Sequence, residues 1–537
     1  MTIDWDTPRP LPADVSARWR ADGLWLETTV SDVIRACVDT DAVACVVDDD
    51  RHTFGQLRLR SLALAAALHD GGVRRGDRVL IQLPNGVELI AAILGCWRLG
   101  AIAVPVLPLF RVSETVAALR QSTPSAVIAA ADLGGTRSPA AEVDEALDVA
   151  SLRPLVRLIV GAHRAGWSVF PGPNASTAAT FAGFTDPGTC ALILFTSGTT
   201  AAPKGVRHDS RSLLAEMNSY RRGAALTHAD VVFNPAPIPH IGALVISTLV
   251  PWCVGTPVVV LSRWDPARAV AVIEREKVTF AVGAPVFLDE LVQRYEKPDY
   301  RGHRVRRFQT GAAPTPPTLL ARADNAGVAA WRAWGMTEAP SISYGTASDP
   351  LERRANSDGR VEPGSEVVAV DDAGTVLPPG SEGELLLRSP KQMMGYIEDV
   401  SGAIRGDGWL TTGDIGIVDA DGWVKVTGRI KDIINRGGEK FSAHEIENAL
   451  CEHPAIAAAA VLGVPEPRLG EQVVAFVTTR AGHTFPGFAD LIDGLRARRI
   501  APQKYPVAIA AIDVMPRTAT GKVQKPELAR LWQAHAR

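Results

Sequence analysis

Short apolar runs alternate with amphipathic segments between residues 78 and 130. Residues 78–85, "RVLIQLPN", predict a buried strand, and the following "GVELIAAILGCWRLG" repeats its apolar residues at helical spacing. The next segments, "AIAVPV", "SETVAALRQS" and "AVIAA", are strand-like, helical and strand-like in turn. Such β-α-β alternation is typical of a parallel sheet with helices packed on its faces. The chain is therefore predicted to have an α/β fold.

The last quarter of the chain follows a different pattern. "GIVDADGWVKV" places two alternating runs around Asp421-Gly422, which is a hairpin signal. "SAHE" (442–445) has the form of a capping box and predicts a helix through about Leu450. We predict a large N-terminal domain with several subdomains and parallel or mixed sheets, residues 1–429, and a small, mobile α/β C-terminal domain, residues 430–537.

Composition narrows the class of function. The 537 residues carry a formal net charge of -3, which gives no reason to expect a nucleic-acid partner. The six cysteines form no CxxC pair, which favours reduced thiols in a cytoplasmic protein. The N-terminus lacks a signal-peptide pattern, and the most apolar stretch, about 89–109, contains Arg98 and Pro105, so no membrane span is expected. We expect a cytoplasmic monomer or homodimer.

A hydroxyl-rich loop, "FTSGTTAAPKGV" (195–206), follows the strand-like "CALILF" and precedes a helical pattern. Such a turn can direct backbone N–H groups and hydroxyls toward an anion, and Lys204 adds a positive charge suited to phosphate. Composition alone leaves a solvated surface turn equally open. The loop is not a Walker A motif, because Pro203 and Gly205 stand where that motif needs glycine and a hydroxyl residue.

The loop resembles the phosphate-binding signature of the adenylate-forming superfamily, which comprises acyl-CoA synthetases, peptide-synthetase adenylation domains and luciferases. One departure is Ala201, where the family usually has glycine. Further segments resemble the family's motifs in the same order along nearly the whole chain: "GAAP" (311–314), "WGMTE" (334–338), "TTGD" ending at Asp414, "GRIKD" (428–432) and "RTATGKVQK" with Lys522. Taken singly, each has an ordinary structural explanation; the joint order carries the resemblance.

The resemblance implies a nucleotide site. It assigns ATP or AMP binding to the loop and strand-end residues and to three charged side chains further along the chain: Thr196, Ser197, Gly198, Thr199, Thr200, Lys204, Gly311, Ala312, Ala313, Pro314, Trp334, Gly335, Met336, Thr337, Asp414, Arg429 and Lys522. Within this set the aromatic ring of Trp334 would pack near adenine and Thr337 would meet the α-phosphate. Asp414 and Arg429 would contact the ribose, and Glu338 would hold Mg²⁺.

The resemblance also implies a two-step reaction and the residues that serve it. Lys522 would bridge the attacking carboxylate and the α-phosphate, and Lys431 would be the hinge about which the C-terminal domain rotates. The glycine-rich "NRGGEKF" would then bring Gly437, Gly438 and Glu439 to the channel for the acceptor thiol. ATP, Mg²⁺ and CoA are the implied cofactors and co-substrates.

The segment "NPAPIPHIGAL" (234–244) resembles the stretch that lines the family's acyl pocket. It contains no aspartate, which argues against an amino-acid substrate, and Ile238-Pro239 replaces the His-Asn typical of hydroxybenzoate enzymes. His240 is predicted either to line the site, as a catalytic-pocket residue, or merely to pack against the pocket wall.

The resemblance is strongest to ligases of alicyclic, aromatic or medium-chain acids, and we predict an acid–CoA ligase. The alternative is a stand-alone adenylating enzyme that loads a carrier protein or serves another nucleophile. A non-catalytic nucleotide-binding homologue is disfavoured, because Glu338, Asp414, Arg429 and Lys522 are all retained.

Overall fold

The computed structural model describes residues 4–36, 41–135, 137–173, 181, 183–196, 203–398, 402–480, 482–518 and 522–535. In these ranges the helices are α1 (Ala13–Ala21), α2 (Val30–Ala36), α3 (Phe54–Asp70), α4 (Val87–Leu99), α5 (Val112–Ser122), α6 (Pro139–Ala150), α7 (Ser210–Gly223), α8 (Val250–Trp252), α9 (Pro266–Glu276), α10 (Pro285–Tyr295), α11 (Pro317–Asn325), α12 (Leu351–Asn356), α13 (Ala443–Cys451), α14 (Phe488–Ala497) and α15 (Lys525–His535). A π-helix spans Gly242–Leu249, and short 3-10 turns span Ile430–Asp432 and Pro502–Lys504.

The strands fall into four sheets. They are β1 (Val43–Val47), β2 (Asp50–Thr53), β3 (Arg78–Gln82), β4 (Ile102–Pro105), β5 (Ala126–Ala130), β6 (Val156–Val160), β7 (Ser168–Val169), β8 (Cys190–Phe195), β9 (Gly205–Asp209), β10 (Val232–Asn234), β11 (Val258–Val260), β12 (Phe280–Gly283), β13 (Arg307–Thr310), β14 (Ala329–Met336), β15 (Ala339–Tyr344), β16 (Arg360–Val361), β17 (Glu366–Val370), β18 (Glu382–Arg388), β19 (Gly395–Tyr396), β20 (Leu410–Val418), β21 (Val424–Arg429), β22 (Ile433–Arg436), β23 (Glu439–Ser442), β24 (Ile456–Glu466), β25 (Gly470–Thr479) and β26 (Ala508–Ala511).

The first large sheet has the strand order β19-β9-β8-β4-β3-β5-β6-β7. β3 pairs in parallel with both β4 and β5, and α4 and α5 are the crossover helices between them. The predicted β-α-β alternation is therefore confirmed. α4 is buried over most of its surface because it is apolar nearly all round, and it ends at Gly100 in the left-handed conformation that favours glycine.

The second large sheet has the order β16-β15-β14-β13-β12-β10-β11-β1-β2. Its central strands β10 to β14 run parallel, so the loops after β12 and β13 leave the same edge of the sheet. The Asp265 side chain caps α9, since it accepts a hydrogen bond from Arg268 N at 2.7 Å, and Pro266 occupies the first turn.

The remaining strands form two smaller sheets. β17-β18-β20-β21 is antiparallel, and β20 and β21 form the predicted hairpin around Gly422, which has φ 80°. Residues from Ile433 onward form the sheet β23-β22-β25-β24, and β26 adds to β25 in parallel. The chain thus has the α/β fold predicted, with α13 and α14 packed on the last sheet.

The predicted helix after "SAHE" is present as α13, but the capping box is not. Ser442 Oγ accepts from His444 N at 3.2 Å, while Glu445 binds Lys504 Nζ at 2.6 Å instead of reaching back to the helix start. A lysine that is distant in sequence therefore takes the carboxylate that the local pattern assigned to the cap.

Candidate active site

The predicted phosphate loop lies between β8 and β9, which pair antiparallel. Of its residues, Ser197, Gly198, Thr199, Thr200 and Ala201 lie outside the described residues. The ends of the loop are held together, because Thr196 N donates to Lys204 O at 3.0 Å and Lys204 N donates to Thr196 Oγ1 at 3.2 Å. The loop therefore begins and ends at one fixed point of the sheet.

Gln121, on α5, supports the second end of this loop. Its Nε2 donates to Pro203 O at 2.7 Å, and its Oε1 accepts from Gly205 N at 3.0 Å. The side chain thus satisfies backbone groups on both sides of Lys204 in the way that a neighbouring strand would. No local sequence pattern indicates this role, because Gln121 lies 82 residues from Pro203.

The cation of Lys204 and the carboxylate of Glu338 meet the same side chain, Tyr396. Lys204 Nζ lies 4.8 Å from the centroid of the Tyr396 ring, within cation–π range. The Tyr396 hydroxyl donates to Glu338 Oε1 at 2.5 Å. Residues predicted to hold phosphate and metal are therefore brought together through a tyrosine that the sequence analysis did not single out.

Asp414, the predicted ribose contact, is held by two strands. Its Oδ2 accepts from Trp334 Nε1 at 2.8 Å, and its Oδ1 lies 2.7 Å from Arg429 Nε in an ion pair across β20 and β21. Asp414 is only 1% exposed, and within the described chain its Oδ1 has no aligned hydrogen bond. The carboxylate is thus fixed in orientation, with Oδ1 still able to accept from a hydroxyl.

Trp334 itself is buried and 6% exposed, with its ring in a cluster that includes Ile342 and Leu385. Its indole N–H orients Asp414, which is a role the sequence motif did not predict. Gly335 follows in a bulge, where an added Cβ would lie 1.6 Å from Pro340 O. Only glycine fits there, so the bulge sets the direction of the following Met336 and Thr337.

His208 supports the same bulge from β9. Its ring is buried, and burial lowers its pKa to about 4, so the ring is neutral near pH 7. A neutral ring with a proton on Nε2 donates to Thr337 O, 2.8 Å away. The histidine thereby joins the strand after the phosphate loop to the predicted α-phosphate residue.

The "GAAP" segment forms a tight turn directly after β13. Ala312 has φ 65°, a left-handed angle that costs about 1 kcal/mol or more for a residue other than glycine. Gly311 N donates to Gly283 O at 3.2 Å, and the hydroxyls of Thr310 and Thr315 lie 3.2 Å apart across the turn. Ala313 and Pro314 complete a constrained turn at the carboxyl edge of the parallel strands, where open α/β sheets bind ligands.

Lys522 reaches this region from the C-terminal part of the chain. Thr518 holds its backbone, since Thr518 N donates to Lys522 O at 2.7 Å and Lys522 N donates to Thr518 Oγ1 at 3.2 Å. Burial, and then the charge of Arg429, lower the pKa of Lys522 to about 8 against the opposing pull of Glu338 and Asp414. The predicted catalytic lysine therefore shares one electrostatic environment with three other predicted site residues.

The charge of Lys522 also acts on His240. Burial, and then the Lys522 charge, lower its pKa to about 3, so its imidazole is neutral. Its Nε2 is buried and has no hydrogen-bond partner within the described chain. If His240 only packed against the pocket wall, its buried Nε2 would be left without a hydrogen-bond partner. The geometry therefore favours a His240 that lines the site, one of the two roles that the sequence left open.

The π-helix that follows His240 begins at Gly242. Among the described residues, no atom outside its chain neighbours and its own helix backbone lies within 4 Å of the position that a Cβ would occupy on Gly242. π-helical turns occur frequently at functional sites, and the sequence "GALVISTL" carries no signal that separates one from an α-helix. The acyl-pocket segment thus combines an open position with an unsatisfied imidazole.

The predicted hinge and acceptor residues lie beyond Arg429. Lys431 is the middle residue of the 3-10 turn Ile430–Asp432, and burial followed by the charge of Arg429 lowers its pKa. Gly437 and Gly438, with φ 63° and 91°, form the two-residue turn of the β22–β23 hairpin, before Glu439. Gly437 N donates to Leu469 O at 2.7 Å, just before β25, so the turn packs on its own sheet.

The described residues contain no cluster of three or more His, Cys, Asp or Glu side chains that would hold a metal ion. A single carboxylate such as Glu338 nevertheless suits Mg²⁺, which is commonly held by one or two carboxylates together with the phosphates of a nucleotide.

No helix in the described ranges is long and apolar enough to cross a bilayer.

Comparison with known proteins identifies the family of the chain. Residues 35–397 match the model of the AMP-binding enzyme family, and residues 445–522 match that of the AMP-binding enzyme C-terminal domain. The chain therefore belongs to the AMP-binding enzyme family, and the predicted relationship to the adenylate-forming superfamily, in its acid–CoA ligase branch, is confirmed.

Individual relatives span nearly the whole chain. A medium-chain fatty-acid–CoA ligase of Escherichia coli is 32% identical over 95% of this chain and 91% of its own. A salicyl-AMP ligase / salicyl-S-ArCP synthetase of Mycobacterium tuberculosis is 32% identical over 97% of this chain and 94% of its own. The structure of the amide bond synthetase McbA from Marinactinospora thermotolerans superposes with a TM-score of 0.81 at 28% identity, covering 94% of this chain and 99% of that one.

Proposed function

We propose that the protein is an AMP-forming acid–CoA ligase for an uncharged alicyclic, aromatic or medium-chain acyl group. In the first step the substrate carboxylate attacks the α-phosphate of ATP and pyrophosphate leaves. In the second, the CoA thiol attacks the acyl carbonyl and AMP leaves. The observation that carries the proposal is the convergence of Lys522 with Glu338, Asp414 and Arg429.

The residues supply positioning and charge rather than covalent chemistry. The hydroxyl-rich loop and Lys204 hold the β- and γ-phosphates, and Asp414 with Arg429 orients the ribose. Lys522, in its protonated form, stabilises the negative charge that develops where the carboxylate meets the α-phosphate. Glu338 would hold Mg²⁺, which neutralises phosphate charge when bound.

The properties of the acyl-pocket segment support an uncharged acyl chain. No aspartate occurs between Asn234 and Leu244 to pair with a substrate ammonium, and the low pKa keeps His240 neutral. The open position at Gly242 leaves room that a larger side chain would fill. The 32% identity to a medium-chain fatty-acid–CoA ligase adds support from a relative of similar length.

A second candidate keeps the first step and changes the acceptor. It would pass the acyl group to a carrier protein or to another nucleophile, such as an amine. The similarity to a salicyl-AMP ligase / salicyl-S-ArCP synthetase and to an amide bond synthetase favours this alternative.

One screen separates the candidates. Pyrophosphate release is measured with a panel of carboxylic acids, each with and without CoA. CoA-stimulated release with formation of an acyl-CoA supports the ligase. Release with stable acyl-adenylate that CoA does not consume supports the second candidate, and no release with any acid counts against both.

Adenylation is expected to decline as pH rises through about 8. Lys522 acts in its protonated form, and burial with the nearby Arg429 lowers its pKa to about 8, so alkaline pH removes the charge that the reaction needs. The measurement is kcat/KM for ATP from neutral to alkaline pH. Lys522→Arg keeps its charge over that range, so this variant should be slower but should lack the alkaline decline. A wild-type profile without that decline contradicts the assignment.

Glu338→Gln should lower magnesium-dependent turnover by about tenfold or more, since the amide keeps the shape but loses the charge that a hard cation prefers. A magnesium titration of pyrophosphate release measures the effect, with a thermal melt to verify the fold. Glu352→Gln changes an exposed glutamate of α12 and provides the matched control. Equal magnesium dependence in Glu338→Gln and the wild type rules out Glu338 as the metal ligand.

The boundary between the two predicted domains, after Arg429, is part of this proposal. It is supported by the separate sheet that begins at Ile433 and by a distinct hydrophobic core that includes Ile434, Ile446 and Val473. The thioester step would then use a rotation of residues 430–537 about Lys431, which brings Gly437, Gly438 and Glu439 to the thiol.

A further inference from the structure

A short segment between β18 and the end of β19 contacts both halves of the nucleotide site. We call residues 389–397 the clamp segment. On one side its backbone pairs with β9, the strand after the phosphate loop, through Gly395 with Arg207 and Tyr396 with Val206. Ile397 N also donates to Gly205 O at 2.8 Å. The segment is therefore hydrogen-bonded along β9, the strand that Lys204 directly precedes.

On the other side the clamp segment contacts the chain that follows "WGMT". Met393 N donates to Glu338 O at 2.7 Å, and Lys391 Nζ donates to Ser341 O at 2.9 Å. The Tyr396 hydroxyl reaches the Glu338 carboxylate itself at 2.5 Å. Two of these contacts hold the backbone and the side chain of Glu338, and the third holds Ser341 three residues further on.

Lys391 anchors the segment in the protein interior. It is 1% exposed and forms ion pairs with Glu216 of α7, which is 0% exposed, and with Glu362, which is 4% exposed. Ser341 Oγ donates to Glu216 Oε1 at 2.6 Å, and Ser219 Oγ donates to Glu362. A buried cation with two carboxylates loses much of its stability when one partner is removed, so the network strongly favours one position of the segment.

The side chain of Tyr396 joins the two halves of the site. Its ring accepts the ammonium of Lys204 at 4.8 Å, while its hydroxyl donates to Glu338 Oε1. Without such an intermediary, an ammonium and a carboxylate in one site would tend to pair directly and mask each other before the nucleotide arrives. A ring face and a phenolic hydroxyl satisfy both charges and keep them apart.

We propose that Tyr396 is a positioning residue that sets the Glu338 carboxylate for the magnesium of Mg-ATP and the Lys204 ammonium for its phosphates, and that Lys391 anchors the segment that presents it. The inference rests on the proposed function, because it assumes that the site binds Mg-ATP. It adds a role for two residues outside the motifs of the sequence analysis.

The two functions of Tyr396 are separable by mutation. Tyr396→Phe removes the bond to Glu338 and keeps the ring face for Lys204, whereas Tyr396→Leu removes both. Affinity for ATP is measured by calorimetry, without acid or CoA, in magnesium and in EDTA. Tyr396→Phe should weaken binding about tenfold in magnesium, as expected for loss of a hydrogen bond to a charged group, and less than about twofold in EDTA. Tyr396→Leu should weaken binding in both conditions.

Tyr300→Phe is the matched control. Tyr300 is 4% exposed and its hydroxyl donates to His303 O at 2.9 Å, so the variant also loses a tyrosine hydrogen bond but lies outside the site. It should leave both affinities unchanged. Thermal melts of all variants exclude a general loss of fold.

Three outcomes overturn the inference or what it rests on. Equal weakening of Tyr396→Phe in magnesium and EDTA contradicts the role at Glu338, and so does no weakening at all. If the wild-type protein binds no Mg-ATP, the proposed function fails. If the wild-type protein binds Mg-ATP and Tyr396→Phe binds it equally well, only the role of Tyr396 fails.

The anchor is tested by the double variant Lys391→Met/Glu362→Gln. It removes one cation and one anion, so the net charge of the buried network stays the same and the protein is more able to fold than with Lys391→Met alone. We expect a lower melting temperature together with a several-fold weaker affinity for ATP in both conditions, as for Tyr396→Leu, because the segment presents both the ring and the hydroxyl of Tyr396. A lower melting temperature with unchanged affinity in both conditions would show that Lys391 contributes stability only.

Discussion

Lys522→Ala is expected to slow acyl-adenylate formation by about 10²–10³-fold, the loss typical of removing one group that stabilises developing charge. The lysine lies in a buried environment with Glu338, Asp414 and Arg429, where its charge is screened less than in water. Thioester formation from a supplied acyl-adenylate should fall much less, because that step begins after the carboxylate and α-phosphate have joined.

Both half-reactions are measured on one preparation, the first by pyrophosphate exchange and the second by thioester production from synthetic acyl-adenylate. Lys297→Ala serves as the control, since Lys297 is an exposed lysine after α10. Equal losses in the two half-reactions of Lys522→Ala would show that the lysine supports the fold or a step common to both.

Lys431→Pro is expected to retain adenylation within a few-fold and to lose at least about 10²-fold in thioester formation. Proline fixes φ near −65°, so it suits the 3-10 turn seen here but opposes the dihedral change that a rotation at Lys431 requires. The modest cost to adenylation arises at Ile430, because a residue before proline disfavours the helical angles of that turn.

Ile430→Pro is the matched control for this experiment. Position 430 is the first residue of the turn, where proline is well tolerated, and the preceding Arg429 is already extended with φ −128° and ψ 142°. This variant leaves the φ of Lys431 free and should support both half-reactions. If Lys431→Pro loses both activities together, or loses neither, rotation about Lys431 is not the mechanism.

The parts of the fold that local pattern determines were predictable from the sequence. The strands and helices between Arg78 and Ala130 follow from hydrophobic period, and the cap at Asp265 from a side chain three residues from its partner. The hairpin at Gly422 likewise depends on a turn that its own residues specify. Glu445 is the exception, because a lysine 59 residues away competes for its carboxylate.

The site was predictable only where motifs mark it. The resemblance named Glu338, Asp414 and Lys522, and the structure brings these three together, although their roles await experiment. Gln121 and Tyr396 contact the same site, but their partners are 82 and 58 residues away, and no periodicity or short spacing records a contact of that range.

The buried network around Lys391 was invisible for a related reason. A lysine in a short loop between strands is expected in water, and only the tertiary structure shows that two carboxylates from other elements remove it from solvent. The π-helix after His240 was equally hidden, because its apolar sequence fits an ordinary helix.

The ion pair between Asp414 and Arg429 has a consequence for the fate of the intermediate. Both residues precede Lys431, and they belong to neighbouring strands of one antiparallel sheet. A pivot at Lys431 would therefore move Lys522 away, while the proposed ribose contacts of Asp414 and Arg429 would stay on the stationary body. An acyl-adenylate is a mixed anhydride that water hydrolyses, and its release between the steps would consume ATP without product. Retention of the AMP half at the Asp414 carboxylate would keep the anhydride on the enzyme until the acceptor arrives.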